Sequence, residues 1–207
     1  MPPRAYNAAN RRSAADRNRA AILRACGELL PVEGYQATTV RAVAIRAGVS
    51  PETVHKVFGG KRGLVKALWD VTLAGDDEPV PMSRRPALRE VLSTQDPNGK
   101  LRLYATFARD VQARLAPLFS LLGAAGPEVA EVLAEAERER LTGVTAFLAH
   151  LADTGLLRPG VDPVRQADVC WVLTGPQLYT QLTAIRGWDP DTYRDWLAEA
   201  LVDALLP

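Results

Sequence analysis

The polar residues best spaced for chemistry lie in one stretch, Thr38 to Val65, which reads TTVRAVAIRAGVSPETVHKVFGGKRGLV. Within it, Ser50 precedes Pro51, Glu52, Thr53, His55 and Lys56. On a helix these fall away from Val54, Val57 and Phe58, which share the inward side. The outward set supplies hydrogen-bond donors, acceptors and a fixed positive charge, which is the chemistry of recognition and not of bond breaking. Catalytic arrangements are missing from the sequence. Glu52 and His55 form its one Glu-x-x-His pair, and the remaining histidine is His150. A di-metal site in a helical bundle needs two such pairs with further carboxylates. There is no Gly-x-Ser-x-Gly elbow, no Cys-x-x-Cys pair and no phosphate loop. The expectation is a non-enzyme without metal or cofactor.

The outward set works only on a rigid rod. Thr39 can cap a short helix with Val40, Val43 and Ala44 on its inner face and Ala47 at its end. Gly48 then allows a left-handed turn, Val49 can plug the angle, and Ser50-Pro51 starts a second helix. Two short helices about a glycine turn make a helix-turn-helix. A rod of that diameter fits the major groove of duplex DNA, where all four base pairs are distinguishable.

The rest of the chain reads as helix too. Ile22, Leu23, Cys26, Leu29 and Leu30 form one stripe, closed by Pro31 and Gly34. Asp96-Pro97, Asp162-Pro163 and Asp189-Pro190 repeat the cap-then-proline signal of Ser50-Pro51. The expectation is an all-α chain of about nine helices, near 17–31, 39–46, 50–57, 60–74, 86–93, 97–123, 127–152, 162–185 and 190–206. Three parts follow: a flexible basic arm over 1–16, a helix-turn-helix domain over 17–62, and a ligand-binding and dimerisation domain over 63–207.

Charge divides along the same line. Residues 1–66 hold 12 Lys/Arg against four Asp/Glu, whereas residues 67–207 hold 13 against 20, hidden in a net charge of +1. A basic head on an acidic body suits a polyanion partner; a solvated basic tail is the plainer alternative. At 47% hydrophobic and 24% charged, the composition excludes wholesale disorder. The longest near-apolar stretch, 115–126, is far short of the roughly 18 residues a membrane span needs. With two cysteines and no secretion-signal pattern, a cytoplasmic location is expected.

Residues 17–69 resemble the DNA-binding domain of TetR-family transcriptional regulators. The resemblance is carried by Glu33-Gly34-Tyr35, Thr38-Thr39-Val40, Ala47-Gly48-Val49-Ser50, Thr53-Val54, Phe58, Lys61 and Leu64. The tail, with Leu173 to Tyr179 and Arg186-Gly187-Trp188, is similar to the ligand-binding body of many members. The resemblance implies that Arg41 reaches a base edge and that Lys61 touches phosphate. With them, Thr39, Ser50, Pro51, Glu52, Thr53, His55 and Lys56 complete the DNA-facing set. His55 departs from the family's usual Tyr, Val57 from an aromatic or His, and Pro31 is expected to shorten the first helix.

In the acidic body, Trp69, Tyr104, Phe107, Phe119, Trp171, Gln177 and Tyr179 offer aromatic surface for a largely apolar small-molecule effector; packed core is the alternative. Val172, Trp196, Leu197, Ala200, Leu201, Ala204 and Leu205 are apolar on the last two long helices and suit a four-helix homodimer interface, again against internal core. Two subunits would present two recognition helices to half-sites about 34–36 Å apart, hence a palindromic operator. The leading expectation is a ligand-released repressor. The alternatives are an activator of the same kind and a protein-binding scaffold.

Overall fold

The computed structural model describes the backbone of residues 4–207 and the side chains of residues 13–207. Among them no strand forms, and no helix is long and apolar enough to cross a membrane. The elements are α1 (Arg4–Ala37), α2 (Val40–Ala47), α3 (Pro51–Phe58), α4 (Lys61–Ala74), a 3-10 turn (Met82–Arg84), α5 (Pro86–Ser93), α6 (Pro97–Gly123), α7 (Pro127–Asp153), α8 (Pro163–Leu173), α9 (Pro176–Thr180) running into a π-turn (Gln181–Ile185), and α10 (Pro190–Leu205). They make two compact units. One holds the chain through Thr72 together with Ser120–Val132; the other holds Leu73–Phe119 and Leu133–Pro207.

In the first unit the expected stripe is the core. Ile22, Leu23 and Cys26 of α1 pack with Val43 and Ala44 of α2, Val54 and Phe58 of α3, and Leu64 of α4. Ala67, Leu68 and Val71 of α4 also pack against this cluster. That explains why the division falls after Thr72 rather than at residue 62: most of α4 buries its apolar face here. The Arg62–Glu131 ion pair and a Gln36 side-chain bond to the Ala125 carbonyl at 3.5 Å tie Ser120–Val132 to the same unit.

Two expectations for α1 are corrected. Residues 4–16 continue the helix instead of forming an irregular arm; Ala5, Ala8, Ala9, Ala14 and Ala15 supply high helix propensity there. Residues 1–3, and the side chains of Arg4, Arg11 and Arg12, lie outside what the structure describes. Pro31 does not end the helix either. It sits inside it, and the break falls at Gly34, with φ 76° and ψ 171°. A proline forfeits one bond to the residue four before it, whereas Gly34's left-handed φ reverses the chain outright. Thr38 fixes the reversal through its hydroxyl, which donates to the Gly34 carbonyl at 2.7 Å.

The second unit is a helical bundle around Leu101, Tyr104 and Ala105 of α6, Val144, Phe147 and Leu151 of α7, Cys170 of α8, and Tyr193, Leu197, Leu201 and Leu205 of α10. Its helix starts are those the cap-then-proline signals mark: Asp162 accepts from the Val164 N–H at 3.0 Å, and Asp189 from those of Asp191 and Thr192 at 3.0 Å. The expected helix over 162–185 is broken at Thr174–Gly175. Gly175 is extended (φ −79°, ψ 153°) ahead of Pro176, which opens α9. A residue before proline is driven from helical geometry, so Pro176 ends one helix and starts another instead of kinking one.

Candidate nucleic-acid interface

The presentation of α3 is built from local bonds. Thr39 Oγ1 accepts the Ala42 N–H at 3.1 Å and starts α2. Gly48, at φ 68°, ends it, and the Val49 N–H returns to the Ala44 carbonyl at 3.0 Å. Ser50 Oγ accepts the Thr53 N–H at 3.3 Å and lies 3.2 Å from the Thr53 hydroxyl. Val54 is fully buried and Phe58 nearly so, with the Arg19 guanidinium 5.2 Å from the Phe58 ring centre. The Arg46 guanidinium grips Glu28 Oε2 through two bonds, at 2.9 and 2.7 Å, and ties α2 to α1. The rod is thus braced from behind.

Its other side is open. Ser50, Glu52, His55 and Lys56 are exposed, and Pro51 and Thr53 half-buried. Thr39 and Arg41 are exposed at the start of α2. The Glu52 carboxyl is held below the usual carboxylate range, first by its own backbone N–H and then by Ser50, and so it stays ionised. The His55 ring stands near Gly60, 3.6 Å from where a Cβ there would be. Ile45, four residues after Arg41, is 72% exposed. Sequence reasoning missed Ile45; its spacing from Arg41, one helical turn, was the available signal.

Lys61 lies against the end of α1. Its ammonium lies 3.9 Å from the centre of the Tyr35 ring and donates to the Gln36 carbonyl at 3.3 Å. Burial pulls its pKa below the usual lysine value, partly countered by Glu128. The ring face and the carbonyl hold the ammonium that sequence reasoning aims at phosphate. What α4 presents there is its first turn of N–H groups, which helix geometry leaves without intrahelical acceptors.

The expected effector residues separate. Tyr104 stacks on Phe147 with ring centres 4.0 Å apart, and Tyr179 meets Tyr193 edge-on at 4.9 Å, both inside the second unit's core. Phe107 and Trp171 pack partly against that core. Gln177 is exposed, Phe119 is half-buried, and Trp69 is buried on α4. Of the seven, Phe107 lines the described cavity of this unit, whose other walls include Met82, Arg85, Asp110 and Arg114.

The expected interface residues also divide. Leu197, Leu201 and Leu205 are fully buried within their own unit, so they are core and not surface. Trp196, Ala200 and Ala204 are half-buried. Val172 is 56% exposed, and α8 also exposes Val164 at 67% and Val169 at 44%.

Comparison with known proteins agrees with this geometry. Residues 22–68 match the family model described as bacterial regulatory proteins, tetR family. Over 47 residues the chain is 47% identical to the uncharacterized HTH-type transcriptional regulator YvkB of Bacillus subtilis (strain 168), a match spanning 23% of this chain and 25% of that one. It therefore covers about a quarter of that relative's length. Solved structures extend the likeness in fold. NalD, the secondary repressor of the MexAB-OprM multidrug efflux pump in Pseudomonas aeruginosa, is 22% identical at TM-score 0.67, covering 93% of this chain and 98% of its own. FadR from Bacillus subtilis, in complex with stearoyl-CoA, is 18% identical at TM-score 0.69, covering 89% and 98%. SmeT, the repressor of the Stenotrophomonas maltophilia multidrug efflux pump SmeDEF, is 18% identical at TM-score 0.65, covering 91% and 90%. The helix-turn-helix of residues 22–68 thus resembles that of the tetR-family regulators in sequence, and the chain as a whole resembles these solved structures in fold.

Proposed function

We propose that the protein is a homodimeric, effector-released repressor that reads a palindromic operator through α3. The observation that carries this is the open polar side of a helix whose apolar side is locked to α1 and α2. Arg41 reaches a guanine edge, where a guanidinium pairs with O6 and N7 together. Glu52 accepts from a cytosine amino group or rejects a base that offers only acceptors, and Thr53, His55 and Lys56 read the neighbouring positions. Backbone phosphate meets the first turn of α4. Pairing of two subunits through the valine face of α8 supplies the two-fold axis a palindrome needs. Two proteins of similar fold, NalD and SmeT, are named repressors, and FadR holds stearoyl-CoA; by analogy this chain's body takes an effector. The effector acts only to the extent that it binds one body shape better than the other.

The test is footprinting and gel shift on duplexes from the gene's upstream region. Protection of an inverted repeat, at least about 10³-fold tighter than random duplex and weakening steeply with salt, is the expected result. Binding without preference for any sequence would overturn the reading.

A further inference from the structure

The first turn of α4 carries two cations, Lys61 and Arg62, and the start of α7 answers each with a carboxylate. The Lys61 ammonium, already on the Tyr35 ring, also feels the charge of Glu128. The Arg62 guanidinium donates from Nη1 to Glu131 Oε2. Glu128 and Glu131 stand three residues apart and so share one side of α7. All four residues belong to the first unit. The ion pair is not alone in holding this corner, since Leu122, Val129 and Val132 are each only 1% exposed. The pair itself lies in solvent, with 59% of the Arg62 side chain and 70% of the Glu131 side chain exposed. Such a pair adds little net stability, because water competes for both charges and two long side chains must be ordered. It is free to exchange.

The place of Arg62 says what it exchanges for. It is the second residue of α4, which starts just after Gly59 and Gly60 at the end of α3. A guanidinium fork fits phosphate as it fits carboxylate. Duplex DNA carries one phosphate charge per about 1.7 Å of axis, and each cation it takes up releases a condensed counterion, a gain that a lone carboxylate lacks. We infer that Glu131 is an internal competitor of DNA, holding the Arg62 guanidinium in the free protein until backbone phosphate displaces it. The contact is autoinhibitory, and Arg62 is a phosphate-binding residue beyond the outward set of α2 and α3. Phosphate carries no sequence information, so the effect is the same on every duplex. The inference rests on the regulator reading only in requiring that a duplex meets this face; it needs no operator.

The experiment is fluorescence anisotropy of the full chain on a labelled random duplex and on the duplex that footprinting selects, across a series of salt concentrations. Glu131→Gln is expected to tighten binding about two- to fivefold on both. Arg62→Ala should weaken both and lower the salt slope by about one. With Arg62→Ala in place, Glu131→Gln should gain nothing. These changes alter exposed side chains, so the variants should melt as the native chain does. Unchanged or weaker binding in Glu131→Gln overturns the inference and makes the pair a tether. So does an equal gain in the Arg62→Ala background, which assigns the effect to the general field of one removed charge, or an Arg62→Ala salt slope equal to the native one. The two duplexes separate the readings. A native chain without sequence preference, with the Glu131→Gln gain intact, overturns the repressor reading and leaves the contact standing. A preferred duplex without that gain overturns the contact alone, and no binding to any duplex overturns both.

Discussion

At Gly63 an added Cβ would lie 1.9 Å from the Phe58 carbonyl oxygen, a backbone atom that cannot swing aside. Gly63→Ala must therefore displace the α3–α4 corner, at a cost of about 1–3 kcal/mol, lowering Tm by several degrees in a thermal melt. Arg41 faces the other way energetically. It is exposed, so Arg41→Ala should leave stability within about 0.5 kcal/mol of the native chain's while costing about 1–3 kcal/mol in affinity for the specific duplex by gel shift. Asp76 gives a pH prediction. Its bond to Arg85 holds the carboxyl down at about 2, against an ordinary value of 3.8. A carboxyl lowered on folding adds stability that is present in full above its unfolded value and lost as pH falls through its folded one. The stability difference between the native chain and Asp76→Asn, read by urea unfolding, should hold from neutrality to about pH 4 and close toward pH 2.

Element ends are where local chemistry decides most. Ser50 Oγ accepts the Thr53 N–H at the start of α3, so Ser50→Ala should cost about 1 kcal/mol and fray α3 at its first turn. The measurable outcome is weakened duplex binding with little change in helix content by circular dichroism. At the far end of the chain, Arg158 closes α10. Its backbone N–H donates to the Leu205 carbonyl at 2.7 Å, its Nε to that of Leu206 at 2.8 Å, and its Nη2 to that of Asp203 at 2.6 Å. The four cap-then-proline starts were legible because each cap sits within three residues of what it bonds. Arg158 was not, because 45 or more residues separate it from the carbonyls it satisfies.

For the whole molecule, each unit carries its own buried thiol. Burial raises Cys26 to about 11 and Cys170 to about 12. A thiol this far above neutral pH is scarcely ionised and is shielded from reagent. Neither should react with iodoacetamide in the native protein, and in rising urea each should be labelled as its own unit opens, which mass spectrometry of the two peptides resolves. Self-association is testable on α8: Val169→Glu with Val172→Glu places charge on an already exposed face, so the expected result is a monomer by sedimentation with unchanged helix content. A dimer that persists would move the interface elsewhere.

What this sequence determined by itself is whatever near neighbours decide: a helical period, caps and glycine turns, and hence the helix-turn-helix with its outward polar set from Ser50 to Lys56. Those energies involve residues one or two turns apart, so the order of residue types contains them. Tertiary structure alone decided which apolar residues lie inside, as with Leu197 in the core and Val172 at the surface. It also turned the Lys61 ammonium onto Tyr35 and placed a cavity beside Phe107, between the residues after α4 and α6. In each case a hydrophobic face or a charge finds a partner far along the chain, and several partners suit it equally until packing brings one of them within reach.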